Sequence, residues 1–254
     1  MDTELSTVAA KPGAADRTPL GRIQADTNQL FLKCLFSFNS FGNLGELSEN
    51  MRILSLNAEL AAGRAGNQGN AVRALTQYTR ELVSRLNAVS RSMLSLKSET
   101  YNQSASALRV LHQLRLLNRA LEEMGKRKSQ FGKVALDKTT RSRADKLSFL
   151  LENIQGMTRN ANRLAVEADQ VSEVVTQAGS IATNIAIEAS SAGDHEAEFD
   201  QVAKTMRGYV AQLHQMLDLS SGPIRDAEAI GSSVQALTRQ SLGKTPSLLT
   251  SPNV

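Results

Sequence analysis

The chain has no tryptophan, one cysteine, five prolines and only 4% aromatic residues in 254 positions. Lone Cys34 excludes an internal disulfide framework. The most apolar window, residues 30–38, is interrupted by Lys33 and is far shorter than the roughly 20 apolar residues a membrane-spanning helix needs. No basic region followed by an apolar run and a cleavage site lies near the amino terminus, so a cytoplasmic address is expected. Neither a phosphate-binding glycine loop nor a nucleophile motif occurs, and His112, His195 and His214 have no paired Cys, Asp or Glu at metal-ligand spacing. Enzyme activity, a metal and a cofactor are therefore not expected.

What is abundant is Ala, Leu, Ser, Arg, Glu and Gln, the bias of long helices and coiled coils. The predicted class is all-α. Residues 1–19 and 243–254, with their scattered Pro and Gly and no apolar period, read as disordered tails. Between them apolar residues recur at 3,4 spacing over many heptads, the mark of helices packed by knobs into holes. One helix carries Val72, Leu75, Thr79, Leu82, Leu86, Val89, Met93, Leu96, Thr100, Gln103, Ala107, Val110, Leu114, Leu117, Leu121 and Met124 in unbroken register, with only two threonines and one glutamine intruding. Another carries Leu147, Leu150, Ile154, Met157, Leu164, Val171, Val175, Ala182 and Ile185. Stretches of that length are rods of roughly 75 to 90 Å. A first helix over about Leu20 to Ala62 is less regular, with Gly42 and Gly45 inside it. In the last helix, Pro223 predicts a kink, since the heptad phase survives across it; the other reading is a break between two helices.

Two segments repeat at a fixed offset of 127 residues with no gap: Asn57 aligns with Asn184, Gly66 with Gly193, Val72 with Phe199 and Arg80 with Arg207. Each has a run of small residues, an Ala-Gly turn and an outgoing helix that carries arginine. Small residues keep helices thin near a turn, and Gly66 and Gly193 stand where the chain must leave the helix. This pattern resembles the cytoplasmic signalling tip of methyl-accepting chemotaxis receptors, over about 30 residues per copy. In that family two hairpins from two chains build a four-helix bundle; here one chain carries both. The expectation is a long antiparallel four-helix bundle or coiled coil, up-down-up-down, with both tips at one end. Residues 20–128 would be the first hairpin, 129–140 a basic distal turn and 141–242 the second hairpin.

The resemblance implies a receptor-like signalling or scaffold protein that binds a chemotaxis-type histidine kinase and its coupling protein, with other chemoreceptors as further partners. It implies polar contacts between neighbouring bundles at Asn57 and Asn184, with Arg64 beside the first, and it aligns Glu188 with the family's acid. It also implies an apolar partner-binding face at Val72, Leu75, Phe199 and Val202, with Arg80 and Arg207 further along. The copies depart from the pattern in different places. Ala61 replaces the acid in the first, and in the second Ser191 replaces Arg and Glu196 replaces Gly. Functional asymmetry and decay of a duplicated segment both account for this. Glu122 and Glu123, the one adjacent acidic pair on the long helices, lack the small neighbours of the family's methylation sites.

Lys126, Arg127, Lys128, Lys133, Lys138, Arg141, Arg143 and Lys146 stand against Asp137 and Asp145 alone, a local excess larger than the chain's net +4. A solvated basic turn accounts for them. The alternative is a helical adaptor docking on an anionic membrane or nucleic acid. Phe31, Cys34, Phe38 and Phe41 follow helical spacing and read as core, whereas Leu32 and Phe36 fall off that face.

Overall fold

Helix forms wherever the sequence carries the heptad spacing. The computed structural model describes residues 18–127 and 132–244, and among them contains five α-helices and no strand. They are α1 (Pro19–Ser40), α2 (Leu44–Arg64), α3 (Asn70–Lys126), α4 (Lys133–Ala189) and α5 (Glu196–Gly243). Thr18 caps α1, its Oγ1 accepting the Gly21 N–H at 3.0 Å, and Pro19 takes the first helical position, where its missing N–H costs nothing. The predicted tails fall mainly outside the described residues, although α1 already begins at Pro19.

Two expectations need correction. The helix anticipated from Leu20 to Ala62 is two helices, because the chain tightens at 41–43. Gly42 N–H donates to Asn39 O and Leu44 N–H to Phe41 O, both at 3.0 Å, before α2 opens with Leu47 N–H on Asn43 O. Such bonds across three residues end an α-helix. The basic turn anticipated over 129–140 is shorter. Gly132 O accepts the N–H of Ala135 at 3.0 Å, α4 starts at Lys133, and residues 133–140 are helical. Lys128 lies outside the described residues. At Pro223, of the two readings the kink within one helix is the one compatible with α5, which runs through the proline without a break. Just before the proline, Ser220 Oγ donates to Leu217 O at 3.0 Å and Ser221 Oγ to Asp218 O at 3.2 Å, the carbonyls preceding the one at Leu219 that loses its donor to the proline.

The chain forms two compact units. The tip unit consists of Phe31–Tyr101 and Thr158–Glu228. Within it, bonds join α2 to α3 (Ser48 Oγ to Val83 O, 3.2 Å), α3 to α4 (Arg85 to Glu173, 2.6 Å) and α1 to α5 (Lys33 to Asp226, 2.7 Å), while Arg64 of α2 pairs with Glu198 of α5. Ala165 and Ala168 of α4 and Leu217 and Ile224 of α5 line one groove, so each helical arm has neighbours on two sides, which closes a four-membered ring. Partner numbers fall on one helix as they rise on the other: Arg85 meets Glu173, Ser92 meets Glu167 and Thr100 meets Asn160. Neighbouring helices are therefore antiparallel, as expected of an up-down-up-down bundle.

The core of the tip unit repeats at the 127-residue offset well beyond the motif. Leu44 and Val171, Met51 and Ala178, Ala58 and Ile185, Val72 and Phe199, and Leu86 and Leu213 are all buried. Several of these pairs oppose a large side chain to a small one, which fills a layer without overpacking it. Ser48 and Ser55 are buried too, and each hydroxyl donates to a carbonyl of α3, Val83 O and Thr76 O at 3.2 and 3.1 Å. Close approach of α2 and α3 follows from side chains that small. Cys34, Phe38 and Phe41 are core, and Phe31 packs edge-on against Tyr101 with centroids 5.4 Å apart. Leu32 and Phe36 are exposed, in keeping with their place off that face. Burial pushes the Cys34 thiol up to about 12, leaving it un-ionised and unreactive.

The terminal unit consists of Met1–Leu30, Asn102–Met157 and Ala229–Val254. Ile23, Val110, Leu111, Leu114, Leu147, Leu150, Ile154 and Val234 make its core. Arg143 of α4 donates through Nε to Asn118 Oδ1 of α3 at 2.8 Å.

Candidate functional site

Both tips are built by one device. Gly66 and Gly193 share a φ of +56°, a left-handed backbone that a side chain would strain, and each opens a single 3₁₀ turn, Gly66–Gly69 and Gly193–His195. The outgoing helix then starts at once. The tips lie side by side: a Cβ built on Gly193 comes within 3.7 Å of Gln68 Nε2, and Arg64 pairs with Glu198. His195 Nδ1 stands 3.6 Å from the other oxygen of Glu198, so the second tip gathers a cluster of exposed Arg64 with half-buried Glu198 and His195. No group of residues suited to holding a metal ion exists among the described residues.

The exits differ. After Ala62, α2 keeps α-helical bonding as far as Ala65, whose N–H reaches Ala61 O at 3.0 Å. In the second copy α4 ends at Ala189, and Ser191 and Ala192 bond back across three residues to Glu188 O and Ala189 O. Ser190 Oγ takes the Ile187 carbonyl at 2.7 Å, an offer of side-chain bonding that competes with the helix. On the outgoing side, Gly69 lies hard against the backbone of Ala62, where a Cβ would collide with its carbonyl. Glu196 holds the equivalent place in the second copy, exposed.

Of the residues the sequence nominated, Asn57 and Asn184 are both exposed on their incoming helices, Arg64 is exposed at the end of α2, and Arg207 is exposed on the outgoing α5. Arg80 is committed to an ion pair with Glu59 of α2. Leu75 and Glu188 are half-buried. The apolar partner face requires correction: Val72 and Phe199 are 0% exposed and Val202 is buried with them. They occupy the inward heptad positions of α3 and α5 and pack the bundle, so they offer nothing to a partner. The basic patch divides as well. Lys126 pairs with Glu123 at 2.8 Å, Lys133, Lys138 and Arg141 are exposed on the opening turns of α4, and Arg143 and Lys146 are half-buried.

Sequence reasoning missed the apolar residues that do face outward. Leu60 and its repeat partner Ile187 are 64% and 60% exposed, one turn from Asn57 and Asn184. Ile53 and Leu56 extend that strip along α2, where the second copy has Ser180 and Thr183. Their signal was available: none falls on the inward positions marked by Met51, Ser55, Ala58 and Ala62. Between α2 and α5 a groove of about 430 Å³ is lined by Ile53, Asn57, Glu198 and Tyr209.

No described helix is long and apolar enough to cross a membrane. No family model matches this chain, and no curated protein or solved structure matches it either.

Proposed function

We propose that the chain is a cytoplasmic, receptor-like signalling or scaffold protein whose paired tips engage a chemotaxis-type histidine kinase and its coupling protein, and other chemoreceptors beside them. One observation carries this reading: two segments 127 residues apart fold into the same glycine turn, side by side, each presenting an exposed Asn one turn before an exposed aliphatic residue. A bundle that only needed to reverse direction has no use for Leu60 and Ile187 in solvent, and exposed apolar side chains beside a polar anchor are what a protein contact requires. The contact surface is then Asn57, Leu60, Asn184 and Ile187, flanked by Arg64 and Arg207. The test is calorimetric titration with a purified chemotaxis coupling protein. Saturable binding that disappears in Leu60→Glu with Ile187→Glu, helicity unchanged, supports the proposal. Absence of binding at high concentration overturns it.

The adaptor reading draws on the division of charge. The terminal unit holds sixteen Lys and Arg against nine Asp and Glu, and the tip unit thirteen against sixteen. Salt-sensitive association with anionic vesicles or DNA, lost in Lys133→Glu with Lys138→Glu and Arg141→Glu, would favour it.

A further inference from the structure

In the terminal unit the start of α1, the carboxyl-terminal part of α3, residues 143–147 of α4 and the end of α5 line an open cavity of about 660 Å³. Its floor is apolar: Ile23, Leu114 and Leu147 are each 1% exposed. Its rim is cationic. Arg115 and Arg119 stand four residues apart on one face of α3, where like charges repel, and Arg143 faces in from α4. Neither Arg115 nor Arg119 has an ion-pair partner among the described residues, and Glu122 is the one carboxylate in the lining. The Arg143 guanidinium is aimed by its Nε bond to Asn118, and its partial burial makes its charge harder to hold than in water. The amino-terminal turn of α1 closes the same wall through Thr18 and Gly21, adding the positive end of a helix.

Exposed guanidinium groups gathered at one mouth attract an anion, and the size of the cavity exceeds what a lone inorganic anion fills. Pockets of roughly 300 to 1,000 Å³ suit small organic ligands. Guanidinium forks match the oxygens of a phosphate better than ammonium groups do. We infer that this cavity binds a small phosphorylated organic molecule of nucleotide size, with its phosphate held by Arg115, Arg119 and Arg143 and its organic body over Ile23, Leu114 and Leu147. The site does not depend on any role of the tips.

The test is titration calorimetry of the full chain with ADP, with inorganic pyrophosphate, and with phosphatidylglycerol vesicles. ADP binds saturably, one per chain, with a Kd below about 1 mM. Pyrophosphate, which lacks the organic body, binds more weakly. Arg115→Gln with Arg119→Gln, both on an exposed helix face, weakens ADP binding by about tenfold or more with helicity intact. Arg143→Gln does the same where it folds. Lys133→Glu with Lys138→Glu, outside the cavity, leaves ADP binding within about twofold on the same scale. The inference is overturned if ADP gives no saturable heat at millimolar concentration, or if the arginine variants bind it as well as the parent. Association with vesicles alone, removed by the Lys133 and Lys138 changes, overturns it too and assigns the basic residues to a membrane surface.

Discussion

The two tips begin with one turn and finish differently. Gly66 and Gly193 adopt the same left-handed backbone, yet the first tip keeps α-helix up to its glycine while the second unwinds at Ala189. Gly69 then lets α3 press against Ala62, whereas Glu196 puts a charged side chain at the equivalent point of α5. The size of the inward side chain differs too. Behind the first tip the inward position is Val72, behind the second Phe199, and each is fully covered. A duplicated hairpin packed against its own copy need not keep both halves alike. It needs each layer filled, and a large residue in one half permits a small one in the other.

That comparison breaks most visibly at the core. Phe199→Ala should destabilise the chain by about 3–5 kcal/mol in urea titration, because an aromatic side chain at 0% exposure leaves a cavity its neighbours cannot close. Val72→Ala removes two methyl groups and should cost about 2 kcal/mol. Equal losses would mean that the two copies share the core evenly, against the reading that Phe199 carries more of it. Next in size is the approach at the first tip. Gly69→Ala drives a Cβ into the Ala62 carbonyl, backbone against backbone, and should cost about 1–3 kcal/mol, whereas Glu196→Ala should stay within about 0.5 kcal/mol. A neutral Gly69→Ala would show that the tips are interchangeable there.

Much of this was legible in the sequence. The heptads of α3 and α4 foretold the core because most inward positions there are apolar or small, from Leu82 to Leu114 and from Leu147 to Ala189, with Thr100 and Asn160 as a buried, mutually bonded polar exception. The turn glycines were legible because a left-handed backbone admits few other residues. The break at 41–43 was not, since Gly42 and Gly45 sit between apolar residues whose spacing continues in phase. Nor was the orientation of Val72, Phe199 and Val202: a buried stripe and a partner-binding stripe have the same period, and only packing distinguishes them. The same ambiguity concealed Leu60 and Ile187, whose exposure depends on which neighbours α2 and α4 acquire.

The similarity of the tips can be sharpened at the glycines themselves. A Cβ at Gly66 meets nothing within 4 Å and at Gly193 only the flexible end of Gln68, so alanine costs backbone strain alone at either place. Gly66→Ala and Gly193→Ala should each lose about 1–2 kcal/mol, and by equal amounts. A clear inequality in thermal melts would mean that the turns relax differently despite their common φ.

The smallest expected effect concerns why the hairpins choose each other. Within the tip unit, residues 31–101 hold eight Lys and Arg against five Asp and Glu, and residues 158–228 hold five against eleven. The ion pairs between them run one way, Lys33 to Asp226, Arg64 to Glu198 and Arg85 to Glu173, with the base always on the first hairpin. Reversing one end, as in Glu173→Arg, should cost no more than about 1 kcal/mol, because both partners reach solvent and salt screens them. Reversing both, with Arg85→Glu added, should restore that loss at low salt, and the coupling should fade as salt is raised. Divergence of the two copies would then be part of what holds them together: opposite charge favours pairing of unlike hairpins in one chain over pairing of like hairpins between chains. A double-mutant cycle with no coupling at low salt would leave the charge difference without a role in pairing, and the choice of partner would fall to the large and small residues of the core alone.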